Sequence, residues 1–189
     1  DGKLESIYHG LPLRGGERVS IKVAGNSELN PGLDFASDKE KYFYVSSITN
    51  IDATTEQESF ILNLVSREAI TNETVRVGRR YNTAFKISDS VKDIVRNYLK
   101  TSKRITADET QNKYGFIANM RKPFTILTWL ASKSVPASVS GKDATAGYVF
   151  YETKSGYYFK SIDSLVSSDP YEKEYFYTQV KEMSPNNDY

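Results

Sequence analysis

The chain has 189 residues, with 25 basic against 24 acidic side chains, one His and no Cys. Hydrophobic and charged fractions of 39% and 26% belong to a folded chain, and the length allows one large or two small domains. Without Cys there are no disulfides, thiolate zinc sites or thiol nucleophiles, and a net charge of +1 gives no general field to draw in nucleic acid or anionic lipid. The apolar runs fall far short of the roughly 20 residues that span a bilayer, so no membrane insertion by this chain is expected. It opens on Asp1-Gly2 rather than on Met, and is expected to be a fragment or a processed piece. Its aromatics are weighted to Tyr, 14 of them against one Trp, a residue suited to half-wet interfaces as well as to strands.

Taken in chain order, Gly15-Gly16 offers a turn, and Val19, Ile21 and Val23 then alternate with polar neighbours, which predicts a strand over Arg18 to Ala24. Ala24 to Lys41 is polar and rich in turn formers, a long loop with a short strand at Leu33 to Phe35. Lys41 to Ile51 and Glu58 to Ile70 read as an antiparallel strand pair across the polar segment Asp52 to Gln57. From residue 88 the period changes. Ser88-Asp89 offers an N-cap, and Val91, Ile94, Val95, Tyr98 and Leu99 form one stripe of an amphipathic helix. Arg104 to Asp108 and Tyr114 to Met120 read as short strands around a polar turn. Pro123 suits a first helical position, with Phe124, Leu127, Leu130 and Ala131 on one face and Ile126 and Trp129 widening it; this helix should end near Ser134 to Pro136. Pro136 to Gly147 is small and polar, a flexible loop. Gly147 to Leu165 then gives the strongest hairpin signal, turning at Lys154-Ser155-Gly156. Ser167 to Tyr189 mixes charge and Tyr without a firm period.

The catalytic inventory is thin. His9 is the lone imidazole and has no nearby carboxylate, so it reads as a surface or interface residue. No metal-ligand spacing, P-loop or cofactor motif is present, and none of these groups is expected. Glu56 and Glu58 share a strand face and Asp163 follows the hairpin; a carboxylate pair drawn from these three would suit a cell-wall hydrolase module, but solvated charge is the plainer reading. The aromatic hairpin Tyr148 to Phe159 would suit a glycan-binding domain. Arg76, Arg79 and Arg80 beside Tyr81 form the densest basic cluster, read either as a nucleic-acid groove or as a solvated face or inter-subunit ion-pair interface, and the near-neutral chain favours the latter.

Three stretches carry a family resemblance. Lys122 to Ser134 (KPFTILTWLASKS) resembles the Pro-Phe-x-x-(I/L)-x-W-L-A segment of tail hub proteins of contractile-tailed, T-even-type bacteriophages, on Pro123, Phe124, Trp129, Leu130 and Ala131. Gly147 to Leu165 resembles the same family's hairpin, on Phe159, Ser161, Asp163 and Leu165, and Glu58 to Tyr81 resembles the strand and arginine-containing run upstream of its central helix. The hub part of type VI valine-glycine repeat proteins shares the architecture. The resemblance implies an α+β fold: an antiparallel tube-like β-barrel domain over 1–81, an inserted α+β domain with two helices and a hairpin over 82–165, and an arm or the start of a truncated further domain over 166–189. It implies a non-enzymatic virion component of the tail baseplate, assembled in the host cytoplasm. Such a subunit forms a homotrimer that joins the hexameric tail tube to the trimeric central spike, contacts other baseplate proteins, and surrounds a channel that phage DNA crosses without sequence-specific binding. A second tube-like domain is expected to be missing from this chain.

Overall fold

The computed structural model describes residues 13–25, 32–54, 57–137 and 147–169. His9, Glu56, most of the loop expected over Pro136 to Gly147 and nearly all of the segment after Ser167 lie outside the described residues.

The chain opens with three short strands, β1 (Arg18–Val19), β2 (Lys22–Val23) and β3 (Leu33–Asp34). The continuous strand expected over Arg18 to Ala24 is therefore broken into two, and the halves belong to different sheets: β1 pairs antiparallel with the following long strand, while β2 pairs with β3. A 3-10 turn at Lys39–Lys41, capped by the Asp38 carboxylate accepting from the Glu40 N–H, leads into β4 (Phe43–Ala53), which is joined to β5 (Glu58–Ser66) as an antiparallel hairpin. Two register shifts, between Val45 and Ser47 and between Thr49 and Asp52, interrupt the ladder. Asn50 sits in the second with φ of 51°, a conformation that Asn tolerates better than most residues.

β5 does not continue to Ile70. The chain turns at Ser66 into helix α1 (Arg67–Thr74). The apolar Ala69 and Ile70 prolong the strand-like pattern in the sequence, but the tertiary contacts of buried Glu68 and Asn72 reward the helical turn instead. Then follow β6 (Arg80–Tyr81), α2 (Ile87–Asn97), β7 (Ile105–Ala107), β8 (Phe116–Ile117), α3 (Pro123–Ala131), β9 (Tyr148–Thr153), β10 (Gly156–Ser161) and a short helix α4 (Ile162–Val166).

α2 buries the expected stripe: Val91, Ile94, Val95 and Leu99 are enclosed and Tyr98 packs alongside. Its start differs from the cap at Ser88-Asp89. Lys86 is the N-cap residue without a capping side chain, and Ser88 lies buried in the first turn, donating its backbone N–H to Thr110 Oγ1 at 3.1 Å. A distant threonine thus satisfies a donor that the sequence assigns to a local cap. α3 has Pro123 at its first position, where the missing N–H costs nothing, and the next N–H, of Phe124, is donated to Asn72 Oδ1 on α1 at 2.7 Å. Ile126, Leu127, Leu130 and Ala131 are buried.

β9 and β10 form the expected hairpin, and β7 joins β10 in parallel, so this sheet is mixed, in the order β7-β10-β9. Gly156 has φ of 128°, and a Cβ there would lie 2.2 Å from the Arg104 carbonyl oxygen, which fixes glycine at this position. The inner faces of α2, α3 and this sheet enclose one core, with Leu127, Leu130, Tyr157 and Phe159 at its centre. The architecture is mixed α+β with four α-helices and several small sheets among the described residues; these sheets are open, and none closes into a barrel.

Candidate assembly surface

The β4–β5 hairpin stands apart from the core. Val45 is its one buried hydrophobic residue, whereas Ile51 and Ile61 are half exposed. Pairing in register places Val45 with Leu64 and Ile48 with Leu62 on one face, which also carries Phe60 by the period of the strand. The opposite face is more polar: Asn63 donates to Ser47 Oγ at 3.0 Å and to Thr49 Oγ1 at 3.3 Å. Among the described residues the sheet order is β1-β4-β5, which leaves β5 at the margin of the sheet, and β1 covers only the first part of β4. The β5 sequence, ESFILNLVS, has one charge and no Pro, so its edge lacks the devices that usually keep such strands from pairing.

The base of this hairpin is clamped to the body by charge. Glu68, on α1 directly after β5, has a fully buried side chain, and Lys103 Nζ lies 2.8 Å from its Oε2 and 2.6 Å from Glu152 Oε1 on β9. Arg67 adds an ion pair to Glu40 at 3.0 Å and a longer one to Glu68 at 3.6 Å. Burial alone would raise the Glu68 carboxyl, but hydrogen bonds from Lys103 and Thr101 and the Lys103 charge outweigh it and hold the group below the usual carboxylate range. Burial would likewise lower Lys103, and its bonds to Glu152 and Glu68 reverse the sign and raise it. Tyr157 donates its hydroxyl to Glu152 Oε2 at 3.0 Å, and burial next to these carboxylates pushes the phenol upward. A cleft of about 500 Å³ opens above this cluster, walled by Phe35 and Phe43 on one side and by the Lys154–Gly156 turn on the other. The arrangement holds its charges paired; a raised Lys103 and a lowered Glu68 are poor choices for nucleophile or general acid near neutral pH.

The residues carrying the family resemblance fall chiefly in the core. Pro123, Leu130, Ala131, Phe159 and Ser161 are buried, while Phe124 and Trp129 pack against the core from its margin. Trp129 meets Tyr114 and Phe116 edge-on at 5.6 and 5.5 Å. Ser161 Oγ caps α4 by accepting from the Ser164 N–H at 3.0 Å, with Asp163 half-buried in that helix and Leu165 exposed on it. Asp108 ties the same corner together, accepting from Lys160 Nζ at 2.7 Å and from the Ser161 N–H at 3.1 Å.

Other candidates are dispersed. Glu58 lies on β5 and Asp163 on α4, and neither lines the cleft beside Glu68 and Lys103. Tyr148, Tyr157 and Phe159 of the aromatic hairpin point into the core, leaving the stacked Tyr151 and Tyr158 pair on its outer side, at 5.2 Å. Among the arginines, Arg76 donates to the Glu73 and Val75 carbonyls, Arg79 pairs with Asp93 at 3.1 Å, and Arg80 faces solvent. Among the described residues there is no cluster of three or more metal-ligating side chains and no helix long and apolar enough to cross a membrane.

Sequence reasoning misses the Glu68–Lys103–Glu152 cluster, whose members are far apart in the chain; the one local signal is a charged pair, Arg67-Glu68, at the end of an apolar strand. No protein-family model matches the chain, and no curated protein or solved structure matches it either.

Proposed function

We propose that this chain is a structural subunit of a phage baseplate hub, a trimeric ring that connects the hexameric tail tube to the trimeric central spike around the DNA channel. The observation that carries the reading is the β4–β5 hairpin, a ribbon whose β5 is the edge strand of its sheet among the described residues, with a half-buried apolar face and half-exposed Ile51 and Ile61, anchored at its base by the Glu68–Lys103 pair. A strand edge of this kind is completed by another strand, and a ring of identical subunits supplies one at each interface without leaving an edge open. Two bulges in the ladder add the local twist and bend that a curved wall requires.

In this reading residues 1–81 contribute to the tube-like β-barrel, whose wall is closed between subunits. Residues 82–165 form the inserted α+β domain on its periphery, and 166–189 an arm or the start of a further domain. The family-motif residues Pro123, Phe124, Trp129, Leu130, Ala131, Phe159 and Ser161 then act through packing, by giving the hairpin a rigid support. The chain is no enzyme in this reading, takes no cofactor, and acts in the virion, with the tail tube, the central spike and other baseplate proteins as partners.

Light scattering on the full-length protein, with and without a co-expressed spike candidate, tests this. A trimer or a three-to-three complex is expected, and Ile61→Lys on the exposed edge strand should return it to monomer while the circular dichroism of the subunit stays unchanged. A monomer in both samples would refute the assignment and make peptidoglycan hydrolysis the next activity to assay.

A further inference from the structure

The two-stranded β6–β8 ribbon has one face in the core and one in solvent, and the solvent face is unusual. The register pairs Tyr81 with Phe116 and Arg80 with Ile117. Tyr81 and Phe116 are buried and stacked at 4.6 Å, so Arg80 and Ile117 stand side by side on the outer face. Ile117 is 68% exposed and Met120, just beyond the strand, 63%. Among the large hydrophobic residues described, only Val166 is more exposed than these two.

Met120 is held in place by its backbone. The Arg121 N–H returns to the Ala118 carbonyl at 3.1 Å, closing a tight turn whose central residues, Asn119 and Met120, have φ of 50° and 54°. Such turns favour Asn first and Gly second; a Met in the second place is strained. Its sulfur reaches over Gly78, close enough that a Cβ on Gly78 would lie 2.8 Å from it. Strain and an exposed apolar side chain together gain the folded monomer nothing, which directs attention to a contact made with something else.

Grooves flank Ile117 on both sides. One, of about 230 Å³, runs along Ala118, Ile126 and Trp129, and the other, of about 470 Å³, along Tyr81, Thr83 and Gly115. Two cations rim them. Arg80 lines the second and Arg121 the first, and neither has an ion-pair or side-chain hydrogen-bond partner among the described residues, unlike Arg79 with Asp93 and Arg76 with its carbonyls.

We propose that the outer face of the β6–β8 ribbon, Ile117 and Met120 between Arg80 and Arg121, docks an acidic segment of a partner protein that seats apolar side chains in the two grooves. This goes beyond the hub assignment and does not depend on it, since it concerns a surface away from the β4–β5 edge. The observations favour protein over nucleic acid. Base stacking on this ribbon would need Tyr81, which is buried against Phe116 and whose hydroxyl is committed to Asp93 at 2.7 Å, and two free arginines flanking apolar side chains match carboxylates beside apolar anchors.

The test is an array of twelve-residue peptides that set Glu or Asp beside Leu, Phe or Trp at varied spacing, with Lys-for-Glu reversed copies and a duplex DNA oligonucleotide, read by fluorescence polarisation against the full chain. Acidic peptides should bind, more weakly at high salt, and their reversed copies should not. Binding should weaken by at least roughly tenfold in Ile117→Ser, Arg80→Glu and Arg121→Glu, and stay unchanged in Lys133→Glu. Met120→Gly separates docking from folding, because it should raise the thermal midpoint while lowering peptide affinity. Absence of binding by every acidic peptide, binding indifferent to these substitutions, or preferential binding of the DNA with loss in the same variants would each overturn the proposal.

Discussion

Replacing Lys103 by Met would leave the fully buried Glu68 without its principal cation while keeping the aliphatic volume of the side chain. Breaking one partner out of a buried pair costs about 3–5 kcal/mol, because the remaining charge stays desolvated. Two features of this site place the expected loss at the lower end: Glu152 is 29% exposed and can rehydrate, and Arg67 remains 3.6 Å from Glu68. A loss of about 3 kcal/mol follows. With an m-value of about 2 kcal/mol/M in urea, the unfolding midpoint should fall by roughly 1.5 M. Adding Glu68→Gln in the same chain removes the stranded charge and should recover at least about 1.5 kcal/mol, a coupling that unconnected residues do not show. The pH profile carries a second signature. Because the Glu68 carboxyl is held below its ordinary value, its contribution is complete above about pH 4.3 and is lost as pH falls through the lower folded value. Lys103, raised, contributes fully below about pH 10.4, and that part is lost as pH rises through its folded value. Both limbs should flatten in Lys103→Met. A loss under about 1 kcal/mol, the value of an exposed pair, or strict additivity with Glu68→Gln would show that the clamp is not desolvated as described.

Leu127, fully enclosed between α3 and its neighbours, should cost about 2–5 kcal/mol when changed to Ala, read as a shift of the urea midpoint without a change in slope. Ser161→Ala removes the cap of α4 and should cost about 1 kcal/mol in the same assay. Burial, with the Asp108, Asp163 and Glu109 charges adding to it, pushes the Tyr148 phenol up to about 12. Its contribution to stability is therefore complete below about pH 10 and declines as the unfolded phenol ionises. Tyr148→Phe should delete one late step from the alkaline phenolate absorbance titration.

The elements that sequence reasoning places well are those whose apolar pattern coincides with a buried face. α2 and α3 and the β9–β10 hairpin owe their legibility to residues such as Val91, Leu127 and Phe159, which are enclosed in the structure and periodic in the chain. The failures share a different cause. β1 and β2 look like one strand because Val19, Ile21 and Val23 alternate, yet Val23 is half exposed and its sheet is a two-residue pair, so alternation there reports no buried face. The run after Ser66 looks like more strand because Ala69 and Ile70 are apolar, whereas what decides it is a contact far away in sequence, Glu68 with Lys103. Likewise Ser88 looks like a cap until Thr110 takes that task.

The same division governs the surfaces. A basic cluster at Arg76, Arg79 and Arg80 is visible as composition, but three adjacent charges have three different fates: one folds back on backbone carbonyls, one is neutralised by Asp93, and one is left facing out beside Ile117. The pairing of Arg80 with Ile117 arises from a strand register that joins segments more than thirty residues apart, and no local pattern encodes it. The strain at Met120 is equally hidden, since a Met after Asn reads as ordinary until the turn is closed by the Arg121 N–H. Surfaces that depend on register and turn geometry therefore require the fold before their chemistry can be read, and the margin of β5 is of the same kind: its nine residues spell an alternating, nearly uncharged strand without Pro, but only the sheet order β1-β4-β5 among the described residues leaves that strand at the edge.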